Sequence, residues 1–315
     1  MRLALCVGID AYDGCPLSGC VADANAVADL LARDEDGTPN FTVDLITSDN
    51  ARITRGSLRK AVRDLFSRSD PDIALFYFAG HGGRERASGS LITQDAAPND
   101  EGVSMADIIG WANDCKAKER IIVLDCCHAD SISEQLASPG KVPIAEGVTV
   151  ISACRSDQFA AERNGRGLFT SHFCDALDGG AADVRGCVTL GGLYAYVSEV
   201  MSHRDQRPMF QTSLARVSAL RKAEAAVSDQ KLRQLPQIFP AKDHRLALDS
   251  SYEPTAEPRH DANEAVFSLL QQCRAARLVV PSTHDHLYDA AMNDGACELT
   301  PLGQFYWSAV KAHRI

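Results

Sequence analysis

Five short apolar runs recur through the first half of the chain, at 3–9, 43–47, 73–79, 121–124 and 148–153, and none alternates apolar with polar residues. A strand with one wet face alternates, whereas a continuous run suits a strand covered on both faces. Segments with helical spacing lie between them. Val21, Ala24, Val27, Ala28 and Leu31 form one; Leu58, Val62, Leu65 and Phe66 form another behind a Thr54 cap; Met105, Ile108, Ile109 and Ala112 form a third. Apolar strands alternating with helices predict an α/β sandwich around a mostly parallel sheet. In such sheets sites form beyond the carboxyl ends of the strands.

Two of those ends carry chemistry. Run 73–79 leads into Gly80-His81-Gly82-Gly83, and run 121–124 leads into Asp125-Cys126-Cys127-His128. Neighbouring parallel strands bring His81 and a cysteine to one edge, although 46 residues separate His81 from Cys127. A thiol becomes a good nucleophile when a base takes its proton or a cation holds its thiolate, and imidazole does both near neutral pH. The backbone amides of Gly82 and Cys127 are candidate oxyanion donors. This is the layout of a cysteine peptidase. Adjacent residues at a strand end point in opposite directions, so only one of Cys126 and Cys127 can face His81.

Composition narrows the partners. Net charge is −10, with 42 acids against 32 bases, which argues against nucleic acid and weakly favours cationic partners. No stretch approaches the ~18 apolar residues of a membrane span. The N-terminal run meets Asp10 too early for a signal peptide and reads as a buried strand. The 11 cysteines are an odd number, several inside predicted elements, which suits a reducing cytosol better than a disulfide framework. Cys126, Cys127 and His128 lack the spacing of a zinc site, so no metal site is expected there; His284, His286 and Cys297 could form a partial site, but surface histidines on a turn are the expected reading.

The pattern changes after residue 222. Four of the 13 prolines fall within 236–258, so 223–257 reads as a Pro-containing linker. Residues 258–315 read as a small, mainly helical module, with helices at 263–277 and 286–293 and a Thr300-Pro301 start signal. Its balanced charge does not predict DNA binding and favours contact with a regulatory protein.

The segments LALCVGIDAYDG, LSGCVADANAVADLL, ALFYFAGHG, RIIVLDCCHAD and VTVISACRSDQFA together resemble the caspase superfamily, in particular its metacaspase-like and paracaspase-like bacterial members. The resemblance covers most of residues 1–215. It implies a caspase–haemoglobinase-like three-layer sandwich with a mostly parallel six-stranded sheet over 1–222, the sixth strand at 207–213 after a helix at 190–201. It implies Cys127 as nucleophile, two residues after the aspartate, and His81 as base. Ala129-Asp130 departs from the usual Ser-Gly. The same resemblance places Asp23, Asp125 and Asp157 around the pocket for the side chain preceding the scissile bond, with Cys20 in its wall. Carboxylates crowded there repel one another unless a cation enters, so cleavage after Arg or Lys is expected.

Asp23 as a simple helix-start residue is the bland alternative. The expected protein is a cytoplasmic protease, free of cofactor and membrane, acting on proteins with exposed Arg or Lys sites in bacterial cell death or defence. Loop bases Lys141, Arg163, Arg166, Arg185 and Arg204 are candidate self-cleavage sites. Calcium is left open as an activator, with Asp95, Asp100 and Glu101 on what reads as a solvated acidic loop. A catalytically silent scaffold is the competing reading.

Overall fold

The computed structural model describes residues 1–69, 71–85, 88–97, 100–126, 144–153, 162–163, 165–201, 208–213 and 217–315. They form two compact units. The first holds Met1–Ala182 and Cys187–Ala223, and the second Asp183–Gly186 and Glu224–Ile315.

The first unit is built on a six-stranded sheet. Its strands are β1 (Arg2–Gly8), β2 (Thr42–Thr47), β3 (Ile73–Ala79), β7 (Glu119–Asp125), β8 (Val148–Ser152) and β12 (Met209–Thr212), in the order β12-β8-β7-β3-β1-β2. Five run parallel, and β12 pairs antiparallel with β8 at one edge. Each continuous apolar run is a strand, and the central ones, β3 and β7, are buried at every position. Alternate residues feed two cores: Leu3, Leu5 and Val7 pack on one face with helices α2 (Arg55–Ser67) and α3 (Met105–Asp114). Ala4 and Cys6 pack on the other face with α1 (Cys20–Ala32), α4 (Leu168–Asp175) and α5 (Leu190–Met201). The result is the expected three-layer sandwich.

Three further strands, β4 (Gly82–Glu85), β5 (Ser88–Ala97) and β6 (Asp100–Ser104), form a separate antiparallel sheet directly after His81. The acidic loop expected at 94–102 is therefore strand and hairpin over its described residues. Asp95 Oδ1 accepts from Arg55 N–H at the start of α2 (2.8 Å) and from the Thr93 hydroxyl (2.7 Å). Pairing between nearby strands, not an apolar run, makes this sheet, which is why periodicity did not reveal it. Two smaller pairs complete the unit: β9 (Glu162–Arg163) with β10 (Arg166–Gly167), and β11 (Cys187–Thr189) with β13 (Ala219–Lys222).

The second unit corrects the linker reading. Val227, Leu232, Leu235, Phe239 and Leu248 are all buried in one core with Phe267, Leu270 and Tyr306. The Trp307 indole N–H donates to the Phe239 carbonyl at 2.7 Å. Prolines here shape short turns and helices between apolar anchors instead of freeing the chain. The unit is also less purely helical than expected. Strands at Leu246–Ala247, Ala296–Leu299 and Val279–Pro281 form an antiparallel sheet beside helices at Asp261–Ala275, Leu287–Met292 and Pro301–Lys311. Thr300 caps the last helix by accepting from Gly303 N–H, as its sequence signal indicated. Among the described residues no helix is long and apolar enough to cross a membrane.

Candidate active site

Strand β3 ends at the sheet edge, and Gly80 and His81 follow. A side chain at residue 80 does not fit, because a Cβ there would lie 2.5 Å from the Tyr12 hydroxyl and 2.8 Å from the Phe78 ring. Tyr12 is buried and fixes the histidine loop. Its hydroxyl accepts from His81 N–H at 3.0 Å and donates to the Ile92 carbonyl at 3.2 Å, while Ile92 N–H donates to the His81 carbonyl at 3.0 Å. One rung between the histidine loop and β5 thus runs through a phenol. The Tyr12 ring also lies against the imidazole, 4.6 Å between centroids. Burial raises the pKa of this phenol, against the opposing effect of the His81 N–H bond, and so keeps it a neutral donor.

His81 Nε2 stands 2.8 Å from the Cys15 carbonyl oxygen. A carbonyl only accepts, so Nε2 donates in this contact, which leaves Nδ1 as the ring atom not engaged there. Gly82 lies opposite Leu91. Because the neighbouring His81–Ile92 position is hydrogen-bonded, alternation turns the Gly82 N–H away from β5. Tyr12, Cys15, His81, Gly82 and Gln94 are among the residues lining a cavity of about 360 Å³.

The end of β7 is tied to the same loop, since Gly80 N–H donates to the Asp125 carbonyl at 3.3 Å. Ile122, Leu124 and Cys126 enter one core, while Ile121 and Val123 enter the other. The Cys126 thiol is fully buried. Cys127 and Asp157 lie outside the described residues.

Asp23 and Asp125 converge, and both are buried. Their carboxylates close on Gly167, where a Cβ would fall 2.5 Å from Asp125 Oδ2 and 2.8 Å from Asp23 Oδ2. Asp23 accepts from Gly167 N–H at 2.7 Å and Arg166 Nε at 3.2 Å. Asp125 accepts from the Thr170 hydroxyl at 2.6 Å, which is itself 2.6 Å from the Tyr77 hydroxyl. Burial, then the Asp125 and Asp23 charges, raise the Tyr77 phenol pKa, so Tyr77 donates to Thr170 and the chain runs toward the carboxylate. Cys20 is buried at the first position of α1, where its N–H donates to Asp10 Oδ1 at 2.8 Å. Asp10, from the end of β1, thereby does the work of an N-cap from outside the helix.

Tyr12, Arg166, Gly167 and Thr170 were not singled out for the site by sequence reasoning. They meet it through loops and a helix start that carry no periodic signal. The tyrosine stands in the Asp-Ala-Tyr-Asp turn after the first strand, a place where its ring had no apparent duty.

A model of the caspase domain matches residues 1–242. A crystal structure of a Geobacter sulfurreducens protein shares the fold at 18% identity, covering 71% of this chain and 100% of that one, with a TM-score of 0.53. Caspase-1 of Spodoptera frugiperda shares it at 15% identity, covering 71% and 90%, with a TM-score of 0.51. No curated protein matches the sequence. With the sheet order, the histidine after the third strand and the domain match taken together, the chain belongs to the caspase family of cysteine peptidases.

Proposed function

We propose that the chain is a metacaspase-like cysteine endopeptidase that cleaves proteins after Arg or Lys. One observation carries the reading: the histidine loop is bonded to the end of β7, with Gly80 N–H on the Asp125 carbonyl, two residues before Cys127. Burial of Cys126 in the core supports Cys127 as the nucleophile. In the proposed cycle Nδ1 of His81 takes the thiol proton, and the Cys127 sulfur attacks the scissile carbonyl. The Gly82 and Cys127 amides hold the resulting oxyanion. The amine then leaves with the proton from His81, and a thioester remains. Water, deprotonated by the same imidazole, hydrolyses the thioester and restores the thiol.

The Asp23–Asp125 pair supplies the preference for a basic side chain, because two buried carboxylates favour a cation. Family resemblance suggests a regulated role in bacterial cell death or defence, with a regulatory protein on the C-terminal unit and calcium as a candidate activator.

The test uses fluorogenic peptides ending in Arg, Lys or Asp, with and without calcium, on wild type, Cys127→Ala and Cys126→Ala. Cleavage after Arg, abolished in Cys127→Ala and retained in Cys126→Ala, is expected. Cleavage after Asp would overturn the pocket assignment. Retained activity in Cys127→Ala would overturn the nucleophile.

A further inference from the structure

Arg166 reaches Asp23 from a backbone with little slack. Gly165 adopts φ +72° just before it, and a Cβ on Gly19 would lie 3.0 Å from Arg166 Cα. The 165–167 segment is therefore pressed against the start of α1, and Gly167 N–H is bonded to the same carboxylate that takes Arg166 Nε. The side-chain hold is looser than the backbone hold. One N–H meets Asp23 at 3.2 Å, and Nη2 lies 3.6 Å from the Cys174 sulfur. Neither contact is bidentate. The Arg166 side chain is 38% exposed, whereas that of Asp23 is 2% exposed.

We propose that Arg166, on the Asp23 side of the Asp23–Asp125 pair, is a resident cation among the described residues, an internal occupant that a basic substrate side chain has to displace. This rests on reading that pair as the pocket for Arg or Lys. Two buried carboxylates around Gly167 repel each other when nothing cationic is near, and Arg166, paired with Asp23, offsets that charge while the pocket has no substrate. An incoming arginine brings a free planar fork and can pair bidentately, which the tethered Arg166 does not do. A neutral side chain offers no replacement charge, so displacement adds selectivity. Arg166 is open to solvent on its side of the pair, and solvent-screened ion pairs contribute little, so the competition should weaken apparent affinity by about two- to fivefold.

The experiment uses the full chain as wild type, Arg166→Gln and Arg166→Lys. It measures KM and kcat for a peptide ending in Arg, and the concentration of agmatine that gives a half-maximal thermal shift. Arg166→Gln should lower KM and the agmatine midpoint about two- to fivefold, with KM moving more than kcat, and Arg166→Lys should stay near wild type. Arg166→Met, which keeps the packing of the stem, serves if Arg166→Gln does not fold. Cleavage after Arg with KM and midpoint unchanged or raised in the neutral variants overturns this inference and leaves the pocket reading intact. Equal lowering by glutamine and lysine also overturns it, since the effect would then lie in packing and not in charge. If wild type and the neutral variant neither bind agmatine nor cleave after Arg, the pocket reading falls and this inference with it.

Discussion

Gly167 shows how a single residue is dictated by chemistry that lies far away in sequence. Its missing side chain is what lets two carboxylates from α1 and β7 approach one backbone. Gly167→Ala should cost about 1–3 kcal/mol, as overpacking does, and should reduce activity by separating Asp23 from Asp125. Urea denaturation and the Arg-peptide assay check both. Tyr12 is the second such residue. Removing its hydroxyl in Tyr12→Phe leaves His81 N–H and the Ile92 carbonyl without their shared partner. A stability loss of about 1–3 kcal/mol is expected, together with a lower kcat. An unchanged denaturation midpoint would mean that the rung is not maintained in solution. Cys126 and Cys127 are the same residue type side by side in the sequence, and the first is fully buried.

At the scale of elements, α2 and α3 should answer substitution in opposite directions. Helix α2 begins with a capping box: the Thr54 side chain accepts from Ser57 N–H, and the Ser57 hydroxyl accepts from Thr54 N–H. Thr54→Ala should therefore cost about 1 kcal/mol. Helix α3 carries Gly110 in its interior, where a Cβ would meet nothing within 4 Å. Gly110→Ala should stabilise the protein by about 0.5–1 kcal/mol, because alanine loses less backbone entropy on folding. Thermal melts of the two variants should move in opposite directions. The apolar face of α2 was plain from the spacing of Leu58, Val62, Leu65 and Phe66, all of which are buried. The β4–β5–β6 sheet was not, because its strands are held by pairing and turns and not by an apolar stripe.

Across the whole molecule, most described thiols are buried, and Cys15 is exposed. Burial pushes Cys174, Cys273 and Cys297 up to about 12. An unfolded thiol ionises near about 8.5. The native state keeps these protons when the unfolded chain has lost them, so their contribution is intact below that value and falls away as pH rises toward 12. Unfolding free energy should therefore decline between pH ~8 and ~10. Iodoacetamide at pH 8 should label Cys15 in the native protein and reach Cys174, Cys273 and Cys297 only after denaturation, as peptide mass spectrometry would show. Rapid native labelling of the three would contradict the burial.

The sequence by itself determined the sandwich. Continuous apolar runs such as β3 and β7 are covered on both faces, with helices supplying the covers, whereas the edge strand β2 stays largely exposed. The sequence also marked His81 and the Asp-Cys-Cys-His stretch, because strand ends in such sheets are where chemistry collects. Only the tertiary structure decided which core took Cys126, that Tyr12 stands in a rung of the histidine loop, and that 223–257 folds around Phe239. It also decided that Arg166 and Gly167 answer the Asp23 carboxylate. Those outcomes depend on which surfaces meet across 68 to 144 residues of chain, as with Phe239 to Trp307, Tyr12 to Ile92 and Asp23 to Gly167. Local patterns carry no record of such meetings, because a loop residue's partner is fixed only when the layers close.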